Sequence, residues 1–555
     1  MNARISPDLV RAAAEQTSDP EVVLREALAR QTTDKGAIFA ADVIAALTTI
    51  RAKSEAEYTR LIANVKGVRT KLDKLTKPQG QAAQQDSLQS IILDVARDGA
   101  EYAHTAEGEG VALVEVAGHR EVHLLTSPTF DRWLRGEVFE AHEIGVPDYA
   151  MATTIATLKA IGTFKGTEVE VHRRVAKHDG GAYWIDLCDD QWRAIKVQAG
   201  KWEVIERPPV FFVRAPGMRP LPEPAKKGNL ALMWKHLNIP KQAQLLVLAW
   251  MLDSLRPDTP YPVLELVGEM GSSKSTTQRR LRALIDHHQV PLRGAPKCVE
   301  DLHIAAANAH VVSLENLSHL NGEQQDALCI LSTGGGYATR QLYTNGDEHV
   351  MQSKRPVMLN GINAVATQPD LIERTVSVEL PTITAKARKD EQSMEAAWEK
   401  DYPAIFASML DLFAKALERL PDVVIPEGMA KRMIDFQRLG EAITIAQGGK
   451  AGEFSKQLDT LHGESALRGL ESYGVAVGIQ MLAARPEGRE WEGTYLQLLT
   501  ELNRLGEVDR SNWPKSPRHL AAQIKRIAPG LRRIGVRIEG AGRGATGAKV
   551  RIIRE

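Results

Sequence analysis

The stretch from Val263 to Arg282, VLELVGEMGSSKSTTQRRLR, sets an apolar run against a loop of glycines and serines, a lysine and a basic segment. Gly268, Glu269, Met270, Gly271, Ser272, Ser273, Lys274, Ser275 and Thr276 keep the phosphate-cradling spacing G-x-x-x-x-G-K-[ST], except that Ser273 stands where the pattern has glycine. A short buried strand that feeds a helix through such a loop aims backbone N–H groups and the positive end of the helix dipole at one spot. That arrangement suits a triphosphate. Lys274 would reach the β and γ phosphates of ATP, and Ser275 would ligate Mg²⁺. The plainer reading is an ordinary strand, turn and helix, and a second strand bearing an acid discriminates between the two.

AAANAHVVSLENLSHL supplies that strand: HVVSL is apolar, and Glu315 with Asn316 stands at its C-terminal edge. In an α/β ATPase such an acid faces the γ-phosphate, where it holds Mg²⁺ or polarises the attacking water. Downstream, GGGYATRQLY and the turn Asn345-Gly346-Asp347 suggest a β-hairpin or loop carrying Arg340. RPVMLN is then a further buried strand ending at Asn360, whose amide is placed to position a water. Arg374 precedes one more strand in PDLIERTVSVELP; it either pairs with a local carboxylate or is offered to a neighbouring subunit's γ-phosphate.

The order of these segments, from the Gly268 loop through Glu315-Asn316 and GGGYATRQLY to Asn360, resembles the motif series of superfamily 3 helicases. More closely, it resembles the ATPase half of phage, plasmid and prophage primase-helicases. The resemblance covers about residues 245 to 385. It implies an AAA+-type core working as a ring, a hexamer, that threads DNA. On the same ground the segment around Arg340 is a DNA-gripping hairpin, Lys354 and Arg355 are DNA contacts, Asn360 is the motif asparagine and Arg374 acts in trans. Two departures stand out: Ser273 for the loop glycine, and Glu-Asn in place of two carboxylates. An alternative of a different class is a nucleotide-gated DNA-binding initiator or regulator that hydrolyses ATP slowly and unwinds nothing.

From Asn503 onward 13 basic residues face four acidic ones, on a chain whose net charge is zero. Helix YLQLLTEL, helix PRHLAAQIKRIAPGLRRIG and strands VRIEG and AKVRIIRE around a glycine-rich tip resemble a winged-helix module. In such a module Arg518, Lys525, Arg526, Arg532 and Arg533 lie on the groove-entering helix, and Arg543 and Lys549 on the wing. The alternative is a solvated basic face on a small packing domain.

These groups need a scaffold, and the chain of 555 residues is long enough for three or four domains. The fold class expected is α/β multidomain. Residues 1–80 are helical, with Tyr58, Leu61, Val65, Val68, Leu72 and Leu75 at coiled-coil spacing, which serves either self-association or packing within the same domain. KLTKPQGQAAQQD is a linker. Residues 85–215 alternate as β-strands with a turn at Asp179-Gly180 and helix around 128–162. Asp186, Asp189 and Asp190 there form either a solvated turn or a site for a divalent ion. RPLPEPAKKGN links to the ATPase core at 228–385; helices fill 386–490 and the basic module 491–555. Three scattered cysteines fit neither a disulfide framework nor a zinc knuckle. No apolar run approaches a membrane span and no secretory leader opens the chain, so a cytoplasmic location is expected. No primase metal site is visible, and primer synthesis would fall to a partner.

Overall fold

The computed structural model describes residues 20–30, 37–62, 72, 75–76, 79–340, 348–384, 386, 389–471, 473–485, 490–506, 510, 513–544 and 547–554. The chain divides into two compact units, one of residues 1–104, 108–112 and 125–167, the other of 105–107, 113–124 and 168–555. No helix among the described residues is long and apolar enough to cross a membrane.

The first unit is mainly helical, with helices Ala41–Lys53, Glu55–Ile62, Gln79–Gly99, Pro128–His142 and Asp148–Lys165. Two of the described heptad positions pack within the unit. Tyr58 and Leu72 are buried in one cluster with Ile38, Val43, Leu47 and Ile62, and the Tyr58 hydroxyl lies 2.7 Å from the Thr76 hydroxyl. Leu75 is exposed, and Val65 and Val68 fall outside the described residues. The expected linker is also revised, because residues 79–86 open the 21-residue helix Gln79–Gly99. Gln and Ala are good helix formers, and they outweigh the single Gly80.

In the second unit, four antiparallel strands, Val175–His178, Ala182–Asp186, Ala194–Gln198 and Lys201–Ile205, form a meander in sequence order. Its first turn is Asp179–Gly181, where Gly180 has φ +75°. Alternation leaves one apolar face that must be covered. Tyr183, Ile195 and Val197 join Phe406, Leu410 and Phe413 of the helix Glu391–Arg419 in one core, and Trp202 Nε1 donates to Asp411 at 2.8 Å. The β-rich stretch 85–215 is therefore not a domain of its own: it is divided between the units, and residues from 168 share a core with the helices that follow. RPLPEPAKKGN is likewise docked. The backbone N–H groups of Leu221, Ala225 and Asn229 donate to Leu187, Pro403 and Ala404. Pro403 lies inside the long helix, and its own carbonyl and that of Ala404 accept from this segment.

The centre of the second unit is a parallel sheet of β1 (Val263–Val267), β2 (Val312–Leu317), β3 (Val357–Gly361) and β4 (Thr375–Glu379), in spatial order β2, β3, β1, β4. Parallel strands are buried on both faces and so read as continuous apolar runs. β1 and β3 are buried throughout. A hairpin of Gly335–Arg340 and Glu348–Ser353 precedes β3, and its tip, including Asn345-Gly346-Asp347, lies outside the described residues. At the C-terminal end Tyr495–Asn503, Pro517–Arg533, Val536–Gly544 and Gly547–Arg554 form as expected. One strand was not foreseen: Glu490–Thr494 pairs with Gly547–Arg554 and completes a three-stranded antiparallel sheet over its own core.

Candidate functional site

The four parallel strands bring their C-terminal ends to one edge, where ligands of open α/β sheets bind. Leu266 of β1 pairs with Asn360 of β3, and Val267 pairs with both Gly361 and Glu379. The loop Gly268–Ser273 leaves β1 at that edge and enters α1 (Lys274–Asp286).

The loop's shape follows from three positive φ angles: Gly268 at +155°, Gly271 at +85° and Ser273 at +54°. A Cβ at Gly268 would stand 2.8 Å from the Leu380 carbonyl oxygen and 2.9 Å from Ser272 Oγ, so only glycine fits. Ser273 takes the left-handed conformation with ψ +33°, the geometry that glycine adopts without steric cost and that costs an L-residue about 1 kcal/mol. The serine thus keeps the loop's path at the expense of some strain. Ser273→Gly is expected to raise the urea midpoint of the second unit by about 1 kcal/mol of stability while leaving nucleotide affinity within about twofold. Equilibrium unfolding and titration with a fluorescent ATP analogue measure both.

No side chain caps the N-terminus of α1, so its first-turn N–H groups have no intrahelical acceptor. Lys274 Nζ donates to the carbonyl oxygens of Gly268 at 2.7 Å and Glu269 at 2.9 Å, which folds the ammonium over the loop. Desolvation lowers its pKa. Ser272 is fully buried and its hydroxyl donates to the Glu269 carbonyl at 2.8 Å, whereas Ser275 and Thr276 are half-buried and Met270 is exposed. Uncapped N–H groups, a cation held over them and a hydroxyl one residue further on fit a phosphate chain with Mg²⁺.

Two residues fix this arrangement that the sequence did not single out. Asn238 Nδ2 donates to the carbonyls of Ser272 at 2.9 Å and Pro381 at 2.6 Å, clamping the loop to the segment after β4. Gln278, buried on α1, donates to Ser313 Oγ at 2.8 Å and the Leu314 carbonyl at 3.0 Å, and accepts from Asn360 Nδ2 at 2.5 Å. Asn360 Oδ1 accepts from the Asn316 N–H at 2.9 Å. Both amide atoms of Asn360 are therefore spent on protein, and the side chain is fully buried. It holds the turn that carries Glu315. Nothing local marks Asn238 or Gln278, since their partners lie 34 to 143 residues away.

Glu315 occupies an irregularity in β2, where the register with β3 shifts between Leu314 and Leu317 and Asn316 has φ +55°. Such a bulge re-aims side chains beside a functional edge. Glu315 is half-buried, its N–H donates to the Arg293 carbonyl at 2.8 Å, and no described basic side chain pairs with its carboxylate.

The remaining candidates separate. Arg374 is 8% exposed and pairs with Asp370 at 2.5 Å, its Nη1 also donating to the Asp370 carbonyl at 2.8 Å. Asp370 is shared with Arg432. In this structure Arg374 thus takes the local pairing. Arg355 donates to the carbonyls of Ala306 at 3.0 Å and Lys354 at 3.1 Å, so its guanidinium braces the sheet edge. Lys354 is half-buried, and Arg340 sits in the hairpin with its side chain outside the description. The aspartate cluster is no ion site: Asp186 pairs with Arg214 at 2.7 Å and Asp189 with Arg193 at 2.6 Å.

On α2 (Pro517–Arg533), Leu520, Ile524, Ile527 and Leu531 are buried while Arg518, Lys525, Arg526 and Arg532 are exposed. Lys549 pairs with Glu492 at 3.5 Å. The side chains of Arg533 and Arg543 lie outside the described residues.

This is a mixed α/β protein built around a parallel sheet, and family models show what it is similar to: replication proteins of a mobile element. Residues 232–463 match the family model described as actinomycete integrative conjugative element replication protein, and residues 475–555 match the C-terminal domain model of the same RepA proteins. Each segment spans less than half of the chain, and both matches are to models of replication proteins of the same kind. No curated protein matches. Among solved structures, the A form apo NrS-1 C-terminal region is similar with TM-score 0.37 and 10% identity, over 84% of this chain and 98% of that one. Another apo structure of that region has TM-score 0.32 and 10% identity, over 83% and 99%. JCV helicase bound to a thiazolopyridine acetamide has TM-score 0.23 and 13% identity, over 42% and 64%. These likenesses are remote.

Proposed function

We propose that the chain is an ATP-dependent, DNA-translocating motor, a ring-forming replicative helicase of its mobile element. The observation that carries this reading is the convergence of the Gly268–Ser273 loop, Lys274 and Glu315 at one edge of the parallel sheet, tied together through Gln278 and Asn360. On this reading the N–H groups of the first turn of α1 and Lys274 bind the phosphates, with Ser275 and Glu315 as the ligands of Mg²⁺. The metal supplies charge neutralisation at the phosphates when bound. Glu315 orients the attacking water and takes its proton, and Asn360 keeps Glu315 in place. Arg374 serves a neighbouring subunit of a hexamer once it is freed from Asp370. Arg340 grips DNA from the hairpin and α2 enters a groove as part of a winged-helix-like module.

A second reading, a slow nucleotide-gated initiator that does not unwind, is favoured by the pairing of Arg374 with Asp370. Strand displacement on forked DNA with and without ATP decides between them: displacement supports the motor, and DNA-stimulated hydrolysis without displacement supports the initiator. Mass photometry with a non-hydrolysable ATP analogue tests the ring, which a strictly monomeric result excludes. For the tail, replacing Arg518 and Lys525 with alanine should flatten the slope of log affinity against log salt by about 1 to 2, as read by fluorescence anisotropy.

A further inference from the structure

A cavity of about 440 Å³ opens at the other end of the sheet, beside the residues that lead into β1 and β3 rather than those that leave them. Tyr261, two residues before β1, forms one wall; Ser353, Lys354 and Arg355, between the hairpin and β3, form another; His172, Arg173 and His310 complete it. No carboxylate lines this cavity among the described residues. The acids beside it are Asp258, which pairs with Lys177 at 2.6 Å, Asp253, which pairs with Arg256 at 3.2 Å, and Glu170, 3.9 Å from His172 Nε2. Lys354 Nζ lies 5.9 Å from the centre of the Tyr261 ring. Arg173, Lys354 and Arg355 thus bring three cationic side chains to the lining of one cavity.

Two polar atoms add direction. His310 is 1% exposed; its Nε2 lies 2.7 Å from the Ser254 carbonyl and so carries the hydrogen, while its Nδ1 has no partner. Burial pushes the His310 pKa down to about 4, so the ring is neutral and Nδ1 is an acceptor. Ser353 Oγ is buried and also unpartnered. Buried polar atoms without a partner are uncommon in native proteins and call for a ligand or water.

From this geometry we infer a second anion site, separate from the Gly268 loop, that takes a phosphoryl group: Lys354 and Ser353 Oγ donate to its oxygens while a hydroxyl of the ligand donates to His310 Nδ1. Neighbouring cations at the cavity wall favour an oxyanion. The position at the foot of the hairpin favours a terminal phosphate monoester of a nucleic acid strand as its source, since that group, unlike an internal diester, can carry a P–OH, with a free phosphate as the other. The site does not depend on the nucleotide reading of the Gly268 loop.

The test uses the full chain in the Lys274→Ala background, which removes the loop lysine as a competing anion site. Acylation of Lys354 by an amine-reactive reagent is followed by peptide mass spectrometry, alone, with inorganic phosphate and with a 5′-phosphorylated single-stranded DNA oligonucleotide. At ligand near ten times its Kd the rate at Lys354 should fall about tenfold, and Ser353→Ala should weaken that protection. Protection by DNA alone names the strand as the source, and protection by phosphate names a free phosphoryl group; either supports the site. Protection by neither overturns it, and so does protection seen only when Lys274 is intact.

Discussion

Lys274→Ala should lower ATP hydrolysis by about 10³-fold or more and leave the fold intact. The side chain is half-buried on the surface of the loop, and its ammonium is held only by the carbonyl oxygens of Gly268 and Glu269. Truncation therefore leaves the Glu269 carbonyl to solvent and the Gly268 carbonyl partly covered, so little stability is lost. What is lost is a cation in a partly desolvated place, which is where a phosphate chain gains most from it. Steady-state hydrolysis together with binding of a non-hydrolysable analogue separates weakened binding from weakened turnover. A parental rate in this variant would falsify the assignment of the site.

Asp286→Ala should destabilise the second unit by about 3–5 kcal/mol, the cost of leaving buried cations unpaired. Asp286 closes α1 and is fully buried. Its carboxylate accepts from Arg174 Nε at 3.2 Å and from the N–H groups of His310 and Val311 at 3.0 Å, and it pairs with Arg282 at 3.6 Å. A negative charge at a helix C-terminus is unfavourable by itself. Here the two guanidiniums outweigh both that and the burial. Arg174 is also fully buried, has φ +64°, and donates to the carbonyls of Asp186, Arg219 and His287. Removing Asp286 thus loosens the meander, α1 and the lead into β2 together. Asp286→Ala with Arg174→Met should recover part of the loss, because the uncompensated charge goes too.

The pH dependence follows from the same contacts. Burial works to raise the Asp286 pKa, but Arg174 and Arg282 hold it well below the usual carboxylate range. A carboxyl with a depressed folded-state pKa contributes its stability fully above its unfolded value of about 4, and the contribution fades as pH falls below that. Denaturant midpoints measured from pH 7 downward should therefore converge between parent and Asp286→Ala as the acid range is entered. A constant gap down to pH 2 would show that the pair is not the source of the effect.

The sequence by itself determined the elements. The apolar run Val263–Val267, the glycines of the loop and the polar helix pattern after it specify a strand, turn and helix, because each is a local preference of backbone and burial. The same holds for Val312–Leu317, Val357–Gly361 and the amphipathic Pro517–Arg533, whose buried and basic faces were both legible. Only the tertiary structure decided what those elements do to one another. That Ser273 adopts the left-handed conformation, that Asn360 is buried against Gln278 82 residues away, and that Arg174 meets Asp286 across 112 residues depend on packing that no local pattern encodes. The heptad illustrates the same limit from the other side: its spacing was right for a seam, yet Tyr58 and Leu72 are buried within their own unit. Periodicity fixes which face of a helix is apolar. Which surface covers that face is settled by the competition among all the apolar surfaces of the folded chain.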